Sequence, residues 1–277
     1  MPTQRGDAIV TRELIDRQRA LWAHVRRTDT ANTKLVIFIH GFRGTYLSTW
    51  GRLADYLKQH ADDHPVLAEW DYLFLGYETY SIKNFLEIGN IVGTQWKLAS
   101  ARRPPFDRNN YSQLALFGHS LGTLGLRQLL CAMSEHPDGL LDALKATVLF
   151  GSPLNGSSLA GLAALAPLAD AAKGKFGALL PDSYVIARAL EPNSGELKML
   201  HTWNATMRRF GKGKFGPCKV ILGTEDLVVG TGGLAKWDGD QEDITGMSHS
   251  SMIKTVNEGV NTQSTVLDML KGLNDVQ

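Results

Sequence analysis

The stretch Leu114-Ala115-Leu116-Phe117-Gly118-His119-Ser120-Leu121-Gly122 decides how the rest of the chain is read. Four apolar residues run into a glycine, and such continuous runs suit a strand buried on both faces of a parallel sheet. A helical pattern follows at once, from Leu121 to Glu135. Between strand and helix stands a serine in the pattern G-x-S-x-G, the sequence of a sharp strand-to-helix turn. Gly118 and Gly122 let strand and helix approach each other closely there. The Ser120 oxygen then projects above the sheet edge, at the positive end of the helix. The backbone N–H of Leu121 points into the same space.

Outward from this stretch the rhythm repeats. Leu35-Val36-Ile37-Phe38-Ile39, Tyr72-Leu73-Phe74-Leu75, Ala146-Thr147-Val148-Leu149-Phe150 and Val220-Ile221-Leu222 are further apolar runs. Each ends at a glycine or within two residues of one: Gly41, Gly76, Gly151 and Gly223. Helical patterns over Leu47 to His60 and Asn84 to Ala101 lie between them. Strand–glycine–helix units in series predict an α/β fold with a mainly parallel sheet and helices on both faces. In such sheets ligands bind beyond the carboxyl ends of the strands. Residues 9 to 27 place Ile9, Leu14, Ile15, Leu21, Trp22 and Val25 among charges, a spacing read as an amphipathic helix. Between Phe150 and Val220 no strand is expected. Residues 152–212 are read as a helical insertion, a lid over the active face, with Glu196 to Arg209 helical. In 157–172, Leu159, Leu162, Leu165 and Leu168 recur every third residue on one side of a helix, and Pro167 ends or kinks it.

The whole composition fits this reading. The chain has 277 residues, of which 43% are hydrophobic and 21% charged, values of an ordinary folded protein. We read residues 1–277 as a single domain. The 29 basic and 28 acidic residues nearly cancel, which excludes a nucleic-acid binder working through a basic footprint. Two cysteines, Cys131 and Cys218, make neither a disulfide framework nor a zinc spacing. With no secretory pattern at the start and no apolar run of membrane-spanning length, a cytoplasmic location is expected.

A serine nucleophile needs a base, an acid behind the base, and donors for the developing oxyanion. His40-Gly41-Phe42-Arg43-Gly44 follows the first strong strand, and its backbone supplies a donor, assigned to Phe42 beside that of Leu121. His40 is read as a brace for this loop. Among eight histidines, His249 lies in Met247-Ser248-His249-Ser250-Ser251-Met252, last in chain order, where the base belongs. His119 is expected to turn away from Ser120, His24 and His136 lie on helices far from the strand ends, and His201 in the insertion is the weaker candidate. The acid belongs on Gly223-Thr224-Glu225-Asp226, where Asp226 is favoured over Glu225. His60 and His64 stand four apart but are followed by Pro65, so a solvated helix end is expected rather than a metal site. No glycine-rich phosphate loop is present, so no nucleotide cofactor and no metal are expected.

These residues together resemble the α/β-hydrolase superfamily. The finer resemblance is to a lipase-like branch containing the serine-active-site-containing proteins and the GPI-inositol deacylases. It rests on Val36 to Gly44 with Thr49-Trp50, on Phe74-Leu75-Gly76-Tyr77, on Phe150-Gly151-Ser152-Pro153-Leu154-Asn155-Gly156-Ser157, and on Ser248-His249-Ser250-Ser251-Met252-Ile253-Lys254. It covers roughly residues 34–160 and 218–256. Thr123 departs from it, because the branch usually has glycine there. The resemblance implies a serine hydrolase of carboxylic esters of lipid type, with Ser120, Asp226 and His249 catalytic and peripheral membrane contact as the expected partner surface. Leu162 and Leu165 are the candidate substrate-binding residues. A thioesterase or amidase on the same residues is the nearest alternative, and a non-catalytic binding protein of the same fold is the alternative from another class.

Overall fold

The computed structural model describes residues 8–16, 20–27, 32–60, 63–104, 106, 110–135, 139–157, 185–209, 218–229, 240–254 and 262–274. Among them eight strands form one sheet: β1 (Ala8–Asp16), β2 (Ala20–Arg27), β3 (Lys34–Ile39), β4 (Trp70–Leu75), β5 (Gln113–His119), β6 (Leu144–Phe150), β7 (Cys218–Gly223) and β8 (Asp240–Ile244). Their order across the sheet is β1-β2-β4-β3-β5-β6-β7-β8. The six strands from β4 to β8 are parallel to their neighbours. β1 and β2 are antiparallel additions on the β4 side. The fold is therefore the α/β one that the apolar runs predict.

Side-chain alternation along the parallel strands makes two cores. Leu35, Ile37 and Ile39 of β3, Leu114 and Leu116 of β5, and Val220 and Leu222 of β7 face one side. There they meet Ile88, Val92 and Trp96 of α3 (Phe85–Ser100), Leu126 and Leu129 of α4 (Leu121–Glu135), and Leu197 and Leu200 of the helix Gly195–Arg209. Val36, Phe38, Phe74, Phe117, Val148 and Phe150 face the other side, against Leu53 and Leu57 of α1 (Leu53–Gln59), Leu67 of α2 (Pro65–Ala68) and Val266 and Leu270 of the C-terminal helix Thr262–Asn274. Phe38 is the hub of this second core. Its ring stacks on Phe74 at 4.6 Å and meets Trp50 edge-on at 5.0 Å. Covering both faces explains why the strands read as unbroken apolar runs rather than alternating ones.

Three expectations are corrected. The described residues of 9 to 27 form no amphipathic helix but the antiparallel pair β1–β2. The segment is rich in β-branched residues, and β2 pairs Trp22 to Val25 with Leu75 to Tyr72 of β4; that pairing overrides the local spacing. The helix expected over Leu47 to His60 is split into a 3-10 turn, Ser48–Trp50, and α1, because Gly51 between them takes φ 58°. Val220-Ile221-Leu222, the last of the apolar runs, is followed by one further strand that the sequence reading lacks. This strand is β8, and its sequence Asp-Gln-Glu-Asp-Ile carries no apolar run because it lies at the outer end of the sheet.

Asn84 caps α3 by accepting from the Glu87 N–H at 3.1 Å. The helix Gly195–Arg209, expected within the insertion, lies in the helical layer beside α4, where Arg127 Nη1 donates to Asn204 Oδ1 at 3.2 Å. The lid expectation for 152–212 then falls on residues 158–184, which lie outside the described residues. Among the described residues no helix is long and apolar enough to cross a membrane.

Candidate active site

The carboxyl ends of β3, β5, β6, β7 and β8 lie side by side, and each leads into a part of one site. β5 ends at His119, paired with Phe150 of β6. Ser120 follows with φ 51°, a conformation a non-glycine residue rarely takes. Its N–H donates to Phe150 O at 2.8 Å, and its carbonyl accepts from Thr123 N–H at 2.9 Å and from Thr123 Oγ1 at 2.6 Å. Since that single hydroxyl proton is committed to Ser120 O, Ser152 Oγ donates to Thr123 Oγ1 across 2.7 Å. Thr123, the residue that departs from the resemblance, thus clamps the serine turn to the loop after β6.

Two glycines set how closely the neighbouring elements approach. A Cβ on Gly122 would stand 2.8 Å from Ile39 O and closer still to His40 O, so α4 can start directly over the end of β3 only without one. A Cβ on Gly41 would stand 2.5 Å from Ser120 Cβ. The His40–Gly44 loop therefore lies against the serine, as its assignment to the oxyanion requires. Leu121 opens α4, so its N–H has no acceptor within the helix.

His40 is buried and braces this loop, as read from the sequence. Its Nδ1 donates to Gly41 O at 2.8 Å and its Nε2 accepts from Tyr77 N–H at 3.0 Å. The Tyr77 ring stacks on it at 4.2 Å, and the Tyr77 hydroxyl donates to His40 O at 2.9 Å. Burial lowers the His40 pKa to about 4, against the opposing pull of its Gly41 and Tyr77 hydrogen bonds. It is a neutral, fixed prop.

β7 leads into the acid loop. Asp226 is buried; its Oδ1 accepts from Val228 N–H at 2.8 Å and Val229 N–H at 3.0 Å. Its Oδ2 lies 2.8 Å from His249 Nδ1. Glu225, the competing acid, is exposed to solvent. A carboxylate only accepts, so the ring proton of His249 sits on Nδ1 and the lone pair on Nε2. That Nε2 is buried and has no hydrogen-bond partner among the described residues. The ring lies against β6: a Cβ on Gly151 would be 3.0 Å from His249 Cε1 and Nδ1 and 3.4 Å from Asp226 Oδ2. Ser120 hangs from Phe150 O, one residue earlier. The end of β6 thus joins serine, histidine and aspartate. The acid and histidine loops are laced directly as well, with Glu225 N–H on Met247 O at 3.0 Å and Gly246 N–H on Thr224 Oγ1 at 2.9 Å.

Sequence reading missed three supporting residues. His119 lies against His249, with ring centroids 4.7 Å apart, and its Nε2 donates to His249 O at 2.9 Å. Burial, with the neighbouring His249 next in weight, pushes its pKa well below the ordinary histidine value. Ser157 Oγ donates to Val228 O at 2.9 Å, tying the loop after β6 to the acid loop. Tyr77 holds His40 at two points. Contacts spanning 37 to 130 residues leave no local signal. His201, the weaker histidine candidate, instead bonds Leu154 O through Nε2 at 2.7 Å. Leu162 and Leu165 lie outside the described residues. Among the described residues no group of acidic, histidine and cysteine side chains could hold a metal ion.

No family model matches this chain, and no curated protein sequence matches it. Solved structures do. A fungal esterase from Rhizomucor miehei is similar over 99% of this chain and 85% of its own, at 17% identity and a TM-score of 0.56. An alpha/beta hydrolase enzyme from the metagenome of sediments of the Mar Chica lagoon in Morocco is similar over 96% and 99%, at 14% identity and TM-score 0.52. A structure described as a putative epoxide hydrolase, from Pseudomonas aeruginosa, covers 97% and 96%, at 13% identity and TM-score 0.51. These likenesses run the length of the chain, and with the strand order and the serine turn they show that it has the α/β-hydrolase fold.

Proposed function

We propose that the protein is a serine hydrolase of carboxylic esters. Ser120 Oγ attacks the ester carbonyl and His249 Nε2 takes its proton. The N–H groups of Phe42 and Leu121 hold the oxyanion. Collapse of the tetrahedral species expels the alcohol, which leaves with the proton from Nε2. Water then repeats the sequence on the acyl-enzyme and frees the acid and the serine. Asp226 keeps Nδ1 protonated and stabilises the imidazolium that forms.

The observation that carries this reading is the buried Asp226–His249 pair, with an unpartnered Nε2, held at the same end of β6 as the strained Ser120. Nε2 and Ser120 Oγ are not hydrogen-bonded in this structure. Such bonds are often loose without substrate and tighten in the reacting complex. The resemblance to the lipase-like branch supports an apolar acyl group. A fluorophosphonate probe should label Ser120 alone. Purified protein should hydrolyse p-nitrophenyl esters, with kcat about 10⁴-fold lower or more in Ser120→Ala. Labelling at another serine, or undiminished turnover by Ser120→Ala, sinks the reading.

A further inference from the structure

The loop beside the serine is held in a shape its sequence disfavours. Gly44 N–H donates to Gly41 O at 3.1 Å, closing a four-residue turn. Arg43, in its third position, has φ 56°, whereas Phe42 before it is not among the residues with positive φ. That combination is a type II turn, whose third position calls for glycine. A type I turn would suit arginine, and differs by a flip of the Phe42–Arg43 peptide plane. The N–H on that plane donates to Thr79 Oγ1 at 2.9 Å. Thr79 is buried and stands in the 3-10 turn Thr79–Ser81 after β4, 36 residues along the chain. Tyr77, two residues before it, grips His40 through N–H and hydroxyl. One short segment therefore holds the loop at both ends, with Thr79 on its strained plane.

We infer that Thr79 is a positioning residue whose hydroxyl keeps this turn in its strained form and so aims the Phe42 N–H at the oxyanion. A plane flip changes Phe42 ψ and Arg43 φ; the assigned donor, Phe42 N–H, lies on the preceding Gly41–Phe42 plane, so the flip reaches it through the displacement of the turn that carries both planes. The inference rests on the hydrolase reading and on that assignment. Losing the grip should act on the charge that develops during reaction, hence on kcat, and little on ground-state binding.

The test uses the full chain and p-nitrophenyl butyrate, with wild type, Ser120→Ala, Thr79→Val, Thr79→Ser and the double variant Thr79→Val/Arg43→Gly. Removing one oxyanion donor costs on the order of 10²–10³ in kcat, and a misaimed donor should cost part of that. Thr79→Val should lower kcat by roughly tenfold or more, with KM within about twofold. Thr79→Ser, which keeps the acceptor, should stay within about threefold of wild type. The double variant should regain most of the loss, because glycine holds a positive φ without a grip. The inference is overturned if Thr79→Val stays within about threefold of wild type, if Thr79→Ser is as impaired as Thr79→Val, or if the double variant is no better than Thr79→Val. Should Thr79→Val not fold, Thr79→Ala takes its place under the same criteria. An active wild type with an unaffected Thr79→Val overturns this inference alone. A wild type no faster than Ser120→Ala overturns the hydrolase reading and this inference with it.

Discussion

Asp226 and Glu225 are adjacent carboxylates with opposite surroundings, and burial separates them. Asp226 is closed off, fixed by two backbone N–H groups and set 2.8 Å from His249 Nδ1. Glu225 faces water. On the proposed mechanism Asp226→Asn should lower kcat by on the order of 10³–10⁴, since the amide can present an N–H to Nδ1 and reverse the tautomer. Glu225→Gln should cost less than about tenfold by the same comparison. Steady-state kinetics of the two variants decide it, and the opposite ranking would move the acid to Glu225. His40 answers to pH instead. With its pKa lowered from 6.5 to about 4, the unfolded chain binds more protons than the folded one between those values. The stability it contributes is complete above pH 6.5 and falls by about 3 kcal/mol as the pH drops to about 4. His119 is displaced in the same direction. Thermal unfolding from pH 7 to pH 4 should therefore show a steep loss of Tm, shallower in His40→Gln. Parallel curves for the two proteins would refute it.

At the scale of elements, the junction of β3 and α4 governs the site. A methyl group at Gly122 would meet the backbone oxygens of Ile39 and His40, and backbone cannot rotate out of the way. Gly122→Ala should push the start of α4 off β3 and pull the Leu121 N–H away from the Phe42 N–H. We expect kcat to fall at least tenfold, as for partial loss of an oxyanion donor, with the Tm lowered as well. Full activity would show that the junction has slack. The elements flanking this junction were legible in sequence for a physical reason. β3, β5 and β6 are covered on both faces, so each is written as an unbroken apolar run ending at its glycine. The Ser120 turn could be placed because it admits few residue types, and the Asp226–His249 pairing because chain order and strand ends narrow the choice. What stayed hidden lies where tertiary pairing outvotes local pattern. Ala8–Asp16 and Ala20–Arg27 became strands because β4 offers Tyr72 to Leu75 as partners to β2. β8 was polar enough to look like loop. The roles of His119, Ser157 and Thr79 depend on partners 130, 71 and 36 residues away.

Across the whole molecule, the parts of the site come from the middle and one flank of the sheet, β3 to β8. The opposite flank, β1 and β2, supplies none of them. β2 occupies the hydrogen-bonding side of β4 that does not pair with β3. Val25 packs with Tyr72 and Phe74 there. A protein lacking residues 1–27 would keep every group assigned to the chemistry, yet it would bare Trp70-Asp71-Tyr72-Leu73-Phe74-Leu75 as an open edge. Apolar open edges invite strands from other molecules. The shortened protein should hydrolyse esters when dilute, but form oligomers or precipitate as its concentration rises. Light scattering and activity measured on the same dilution series would follow both, and a monodisperse shortened protein at high concentration would show the edge to be harmless. The antiparallel pair is then a bandage of main-chain hydrogen bonds, by which solubility and chemistry are assigned to opposite flanks of one sheet.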